Sequence, residues 1–521
     1  MDFPTSSRVH ERTASGSSGL AADEAQRVRE PSPRRRTEEA CLTVRWAADG
    51  TATASGLTSY AFSHGVLTAS WQYVNGVLSV HSDRYGMLPL YIFQEPGRTV
   101  VATSLAAVMR AVMPLALDED AIASFLRLGA FLGDDTPFQG VRRVAPGTVL
   151  VCDQSGCRAS GGWPVVAPTR LGPDAAAAAY RELFHEALRS VPVDPERSVV
   201  LLSGGRDSRH ILLGLHAIGQ TPANALTVQT DPFDGRNNTE IAAALAASCG
   251  VPHTVVPLPA NRWEAELAKD ALTDSACLEH WWMMAARDWL KGRDAVVYDG
   301  LAGDILSESK FLTRERAEWF DRGDFDSIAD DLMSPESAVR GMLASREIAR
   351  FGRERAHARL VQEMRRAADA PSPAVAFRLS QRTRRGIAPS SFALLGSAAT
   401  VVTPFLYPPL HDMLAGLDVG VILATGFHSR VIAAAYPEQA HIPYDRYSAA
   451  AVATGQLFGQ VHGPLTSPRL RSSIVRPLRS ESGWRTRLLL QALRGQRGSV
   501  YGLLMHGAWI ASLDRLADTS R

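Results

Sequence analysis

Six consecutive residues, Ser203-Gly204-Gly205-Arg206-Asp207-Ser208, carry the clearest chemistry in this 521-residue chain. Two glycines allow a tight backbone turn, so that several N–H groups and the Ser203 and Ser208 hydroxyls can face one anion. The anion implied is a phosphate or pyrophosphate. Asp207 repels such a group unless a divalent cation lies between them, so its place in the loop predicts bound Mg²⁺. The loop is not that of the ordinary P-loop NTPases, which need a Lys after the last glycine; here Arg206 is followed by Asp207. A strand–turn–helix with no ligand is the bland alternative.

The loop needs elements to hold it. The apolar run 198–202 before it reads as a buried parallel strand, and Ile211, Leu212, Leu213 and Leu215 give the following helix a core face. A helix over 174–188 leads in. Strands over 225–230, 251–257 and 295–298, with a helix over 238–248, predict an α/β fold with a doubly wound parallel sheet and right-handed crossovers. Beyond Ser307 the apolar periodicity is helical, so many added helices pack around the sheet. In such sheets ligands bind beyond the carboxyl ends of the strands, where strand order reverses. A second loop, Asp299-Gly300-Leu301-Ala302-Gly303-Asp304, follows the 295–298 strand. Asp304 either joins Asp207 in holding one or two Mg²⁺ ions or caps a helix that starts at Ile305.

The first third of the chain is different. Residues 1–38, rich in Ser, Arg, Glu and Pro, read as a disordered leader. Short alternating segments follow at 42–46, 66–71, 77–82, 88–93 and 99–103, and Asn75-Gly76 is a hairpin signal. Asp118 is placed to cap a helix running to Leu128. A linker over 163–173 then separates the halves. The expected divisions are 1–38 leader, 39–162 β-rich domain, 174–465 nucleotide-binding domain and 466–521 helical extension.

Apolar residues make up 45% and charged residues 21% of the chain, with a net charge of +1. That balance excludes a nucleic-acid or membrane partner held by bulk electrostatics. With no signal-like or membrane-spanning run, a cytoplasmic protein is expected. Only Lys269, Lys291 and Lys310 are lysines, so arginine supplies nearly all 55 cationic residues and single arginines carry little weight. The five cysteines form no CxxC pair, which argues against zinc. Cys152 and Cys157 flank a hairpin turn and could meet, although packed thiols are the preferred reading.

The two loops, in this order and about a hundred residues apart, resemble the synthetase domain of the asparagine synthetase family, a group of ATP-pyrophosphatases that includes β-lactam synthetases and lasso-peptide cyclases. Glu240 with the Gly250-Val251-Pro252-His253 stretch, and Thr403-Pro404-Phe405-Leu406 with Leu410, are similar to further family segments. Asp83-Arg84-Tyr85-Gly86-Met87-Leu88-Pro89-Leu90-Tyr91 and Phe138-Gln139-Gly140-Val141 through Pro146-Gly147 resemble its glutaminase domain. The resemblance implies an N-terminal Ntn-hydrolase-like αββα domain, a degenerate type 2 glutamine amidotransferase, ahead of an adenine nucleotide α-hydrolase-like ATP-pyrophosphatase domain. It assigns Ser203, Gly204, Gly205, Asp207 and Ser208 to the pyrophosphate end of ATP, and Leu201, Val228 and Gly300 to the adenosine pocket. Asp207 and Asp304 are the implied Mg²⁺ ligands. The reaction implied is attack of a carboxylate on the α-phosphate, then capture of the acyl-adenylate by an amine.

Three departures from that pattern stand out. Family members that hydrolyse glutamine place Cys directly after Met; this chain reads Met1-Asp2-Phe3, and Cys41 opens the first expected strand, where it packs unless cleavage of the leader makes it N-terminal. Ile305 stands where an acidic residue is usual, and Asp299 where a small one is; Asp299 is either a further metal ligand or a turn residue. No lysine follows Lys310, although family members use a late Lys in adenylation. Arg446 or Arg430 could supply that charge, as could the cluster Arg378, Arg382, Arg384 and Arg385. His210, His253 and His280 are read as structural more readily than as acid–base groups. The expectation is an AMP-forming ligase that uses ATP and Mg²⁺ on a small-molecule or peptide carboxylate, without glutaminase activity. A lasso-type macrolactam cyclase, with a precursor peptide and its protease as partners, is the leading specific form. An asparagine synthetase fed by free ammonia and a catalytically dead ATP-binding scaffold are the alternatives.

Overall fold

The computed structural model describes residues 39–229, 237–308, 311–336, 339, 343, 345–423, 426–445, 505–510 and 512. The expected leader, Arg446 and most of the 466–521 extension lie outside these residues.

The N-terminal third is β-rich. One antiparallel sheet runs in the order β2 (Ala52–Gly56), β1 (Cys41–Trp46), β7 (Arg98–Ala102), β6 (Tyr91–Glu95), β8 (Val141–Arg143). A second runs β10 (Gly156–Gly161), β9 (Thr148–Asp153), β5 (Val77–His81), β4 (Leu67–Val74), β3 (Ser59–His64). Leu42, Val44 and Val101 from the first and Trp71, Leu78 and Val80 from the second are buried in one core. Helix α1 (Leu105–Val112) packs on β6 and β7 through Val108 and Met109, while α2 (Glu119–Leu128), capped by the Asp118 carboxylate, packs on the helix Arg353–Ala367.

Local chemistry explains several boundaries. Val74 pairs with Val77 across Asn75 and Gly76, whose φ values of +50° and +82° suit the two-residue turn that matches strand twist. The strand expected from residue 88 begins only at Tyr91. The buried Asp83 carboxylate accepts the N–H groups of Tyr85, Met87 and Leu88 at 3.0, 3.1 and 2.8 Å, which holds that stretch as a loop. Cys152 and Cys157 are directly opposed in the β9–β10 hairpin and form a disulfide, which corrects the expectation of packed thiols.

The C-terminal part is built on a five-stranded parallel sheet in the order β13 (His253–Val256), β12 (Asn224–Val228), β11 (Ser198–Leu201), β14 (Val296–Tyr298), β15 (Thr400–Val402). The chain winds outward through β12 and β13, then returns to the other side of β11, so strand order reverses between β11 and β14. Three residues long and set among helices, β15 has too little pattern to register as a strand in sequence. It is held by pairing of Val297 with Val401 and by the Val401 N–H, which donates to His64 Nδ1 of β3 at 3.1 Å.

Around this sheet lie α3 (Pro173–Arg189), α4 (Arg206–Ala217), α5 (Asn238–Ser248), α6 (Arg262–Leu272), α7 (Met283–Leu290) and the short α8 (Gly303–Ser307). Two π-helical stretches, Leu379–Ile387 and Pro389–Leu394, precede β15. Their wide turns send Arg384 and Arg385 toward the N-terminal sheets and Ile387 and Ser391 toward the end of β14. Arg384 donates to Asp134 Oδ1 at 2.7 Å and to the carbonyls of Gly86 and Gly133 at 3.2 and 3.1 Å. Arg127 pairs with Glu336 at 2.9 Å and Arg84 with Asp412 at 2.6 Å. The buried Arg127 and Arg384 and the half-exposed Arg84 therefore join the two parts, and the described residues fall in one compact unit. No helix among the described residues is long and apolar enough to cross a membrane.

Candidate active site at the strand-order reversal

The Ser203 loop leaves β11 and the Asp299 loop leaves β14, so two segments almost a hundred residues apart in sequence open into one cleft. Its volume is about 350 Å³. The structure brings Leu201, Ser203, Gly205, Asp207, Ser208, Val228, Gly300 and Asp304 together in its lining. Leu226, Met283, Leu301 and Ile387 give it an apolar side, and His280 and Trp282 lie beside them.

Asp207 sits in the first turn of α4, with Gly205 as an N-cap that has no side-chain cap. The backbone N–H of Asp304 donates to Asp207 Oδ2 at 3.1 Å. Burial, then the neighbouring Asp304 charge, pushes the Asp207 carboxyl well above the usual carboxylate range. Glycine is required opposite it. A Cβ on Gly300 would meet Asp207 Cβ at 2.7 Å, and one on Gly303 would meet Asp207 Cγ at 2.6 Å and the Phe405 ring at 2.8 Å. Phe405 belongs to the Pro404–Leu406 turn, so the late Pro-Phe-Leu segment forms the floor under the second loop. Ala302 has φ +74°, a conformation that costs a non-glycine residue on the order of 1–3 kcal/mol, and it marks the bend that brings Gly303 over Asp207.

Other assignments change. The Ser203 and Ser208 hydroxyls face each other at 2.9 Å, and the Ser203 N–H donates to Ser208 Oγ at 3.0 Å. They close the turn in addition to bordering the cleft. Gly204 lies behind it, with its N–H on Asn238 Oδ1 at 2.7 Å and its Cα facing Asp445 and Ile241. Asn238, at the start of α5, lines the cleft and was not anticipated because only the fold brings it near residue 204. Asp299 is a loop-shaping residue: it accepts the Leu301 N–H at 2.8 Å and the Ser391 hydroxyl at 3.2 Å. Ile305 is buried.

The arginines sort by partner. Arg206 pairs with Glu308 at 2.8 Å and donates to the Ser429 hydroxyl at 2.6 Å. Arg430 is exposed, and Arg384 and Arg385 point to the N-terminal sheets. Arg382 pairs with Glu279. Only Arg378 of that cluster combines proximity to Asp304 with the lack of any hydrogen bond or ion pair among the described residues.

Behind Asp207 lies a buried polar cluster. His428 Nδ1 is 3.5 Å from Asp207 Oδ1 and 2.9 Å from Ser307 Oγ, and its Nε2 is 3.0 Å from His210 Nδ1 and 3.2 Å from Tyr180 Oη. Burial holds His428 down to about 3 and His210 well below its usual value, so both rings are neutral and serve as structural props. His253 accepts or donates with Thr227 at 2.8 Å, away from the cleft lining. His280, at φ +68°, lines the cleft and is held by Ser390 at 3.0 Å.

The residues fit a hard divalent cation. Two carboxylates in each other's field, and glycines that leave room only for Asp207 itself, form an oxygen-donor set suited to a hard cation. No group of three or more potential ligand side chains is present among the described residues, so phosphate oxygens or water would complete the shell.

In the N-terminal domain the motif residues are structural. Asp83 ties its loop, and Gly147 donates to the Asp83 carbonyl at 2.8 Å. Residues 51–163 match the family model of a glutamine amidotransferase domain. This part of the chain is a glutamine amidotransferase-type domain. Cys41 is half-buried, its Sγ lies 4.0 Å from the Ala107 carbonyl, and burial pushes its pKa up. Ala40, just before it, is tied to Thr103 through both its N–H and its carbonyl, at 3.1 and 3.0 Å.

Among solved structures, the chain is similar to glutamine phosphoribosylpyrophosphate amidotransferase from B. subtilis complexed with ADP and GMP, at 16% identity over 48% of this chain and 46% of that one, with a TM-score of 0.13. It is also similar to a chain described as the allosteric regulatory enzyme of purine biosynthesis, at 12% identity over 36% and 47%, again with a TM-score of 0.13. The chain thus spans less than half the length of these proteins, and a superposition that weak carries no argument. No curated protein matches.

Proposed function

We propose that this chain is an ATP-dependent, AMP-forming ligase of the asparagine synthetase type that makes an amide bond from a substrate carboxylate and an amine. The observation that carries this reading is the meeting of Asp207 and Asp304 at the strand-order reversal, with Gly300 and Gly303 closed down on Asp207. Asp207 and Asp304 would hold Mg²⁺. When bound, the cation would stabilise the charge on the departing pyrophosphate. The N-terminus of α4 favours the same negative charge. Leu201, Leu226, Val228 and Met283 provide the apolar side for a nucleoside. A carboxylate is a poor acyl donor; an acyl-adenylate gives it AMP as a leaving group, and an amine can then attack.

The Cys41 environment supports an amine that is not drawn from glutamine in this chain. A substrate that carries both amine and carboxylate meets that condition, and a peptide macrolactam of the lasso type is the specific form we favour. Its partners would be a precursor peptide and the protease that trims it. The test is incubation of the protein with ATP, Mg²⁺ and a trimmed precursor peptide, read by mass spectrometry. Loss of one water from the peptide supports the macrolactam reading. Formation of asparagine from aspartate, ATP and ammonium overturns it in favour of the ammonia-using synthetase.

A further inference from the structure

A second cavity, of about 260 Å³, lies between the two parts of the protein. Leu128, Phe131 and Leu132 form its amidotransferase-side wall, and Leu332, Leu360 and Phe377 face them. Four polar side chains also reach it, and three have partners within the protein. Gln381 bridges the Gly133 N–H at 2.7 Å and Glu363 Oε2 at 2.9 Å. Arg382 is paired with Glu279, and Asp331 with Arg316 Nε at 2.7 Å. The fourth is Arg378. Its guanidinium carbon stands 4.6 Å from the Phe311 ring centroid, with no hydrogen bond or ion pair among the described residues.

Arg378 is half-buried and has no acceptor among the described residues, so a carboxylate entering this cavity would meet an unpaired cation at its wall. Burial, then the charge of Arg382, lowers its pKa to about 10, so it stays a cation at neutral pH. The same side chain lies within the electrostatic reach of Asp304. The helix that ends at Arg378, Pro373–Arg378, packs on α8, which carries Asp304. The cavity is smaller than the roughly 300–1,000 Å³ typical of drug-sized ligands, so it suits one or two residues' worth of apolar side chain.

We propose that this cavity binds the acyl donor: a carboxylate paired with Arg378, with its aliphatic body packed between Leu128, Phe131, Leu132 and Phe377. The reason for holding a carboxylate there rests on the ligase reading, but occupancy of the cavity does not need nucleotide.

The test uses the full-length protein without ATP, titrated with hexanoate and, separately, with hexanamide, read by saturation-transfer NMR. Hexanoate is expected to bind at least about tenfold more tightly than the uncharged amide, as a charge-assisted bidentate pair implies. Arg378→Gln removes that preference. Leu128→Trp, which fills the cavity and leaves the cation in place, weakens both probes. Absence of hexanoate binding by the wild-type protein overturns the proposal, as does unchanged preference in Arg378→Gln or unchanged affinity in Leu128→Trp. ATP cleavage is scored separately. Lost hexanoate binding with intact cleavage sinks the cavity assignment alone, and intact binding without cleavage sinks the ligase reading alone.

Discussion

The Asp304 N–H donates to Asp207 Oδ2 at 3.1 Å across a sequence separation of 97 residues. One backbone bond thus ties the end of β14 to the first turn of α4, at the point where strand order reverses. It also sets two carboxylates where each raises the cost of charging the other. Such a pair is retained more readily for cation binding than for stability.

Asp207→Ala and Asp304→Ala should each lower pyrophosphate release by at least about a hundredfold, the scale seen when a charge-stabilising group is removed. Asp304→Ala should not lower the melting temperature of the nucleotide-free protein, since it removes a repelling charge, whereas Asp207→Ala also loses the acceptor of the Asp304 N–H and should lower it slightly. A pyrophosphate-coupled assay beside a thermal melt separates the two effects.

Gly303→Ala places a methyl group 2.6 Å from Asp207 Cγ and 2.8 Å from the Phe405 ring. Overpacking of this kind costs about 1–3 kcal/mol, and the displaced carboxylate should reduce kcat far more than that stability loss suggests. Denaturant unfolding and steady-state kinetics on the same preparation provide the comparison.

Cys41→Ala should leave any ligase activity unchanged, and the wild-type protein should release no glutamate from glutamine. The raised Cys41 pKa and the bonded Ala40 N–H underlie both expectations. Glutamate production that disappears in Cys41→Ala would restore a glutaminase role.

Stability should fall as pH rises from about 4 through about 6. Asp270, buried with Lys269, Glu266 and Ser512, has its folded pKa raised to about 6, mainly by burial. The folded state therefore binds a proton that the unfolded chain has already released, and this contribution is complete below about 4 and lost through 6. Urea midpoints for the wild type and Asp270→Asn should converge at pH 4 and differ in pH slope above it.

The two strand-end loops were legible in sequence because glycines and carboxylates mark them locally, and β11 and β14 precede them as β-branched runs. The α5 boundaries were equally clear. What the sequence hid was set by distance. Asn238 meets Gly204 only after β12 is laid beside β11, and β15 acquires strand character only from β14 and His64. The arginine bias masked the difference between Arg384, which ties Asp134 across the protein, and Arg378, which has no such partner. Cys152 and Cys157 were placed on the correct hairpin, but their bond depends on the register of β9 with β10, which no local signal fixes. The hydroxyls of Ser203 and Ser208 were expected to point at a ligand, whereas five-residue spacing on a tight turn also lets them bond each other.

The central claim is that the Asp207–Asp304 cleft cleaves ATP between its α- and β-phosphates in the service of acyl transfer. ³¹P NMR of the protein with ATP, Mg²⁺ and a trimmed precursor peptide tests it most directly. The account predicts AMP and pyrophosphate in equal amounts, abolished by Asp207→Ala. ADP with inorganic phosphate, or AMP and pyrophosphate undiminished in Asp207→Ala, would contradict it.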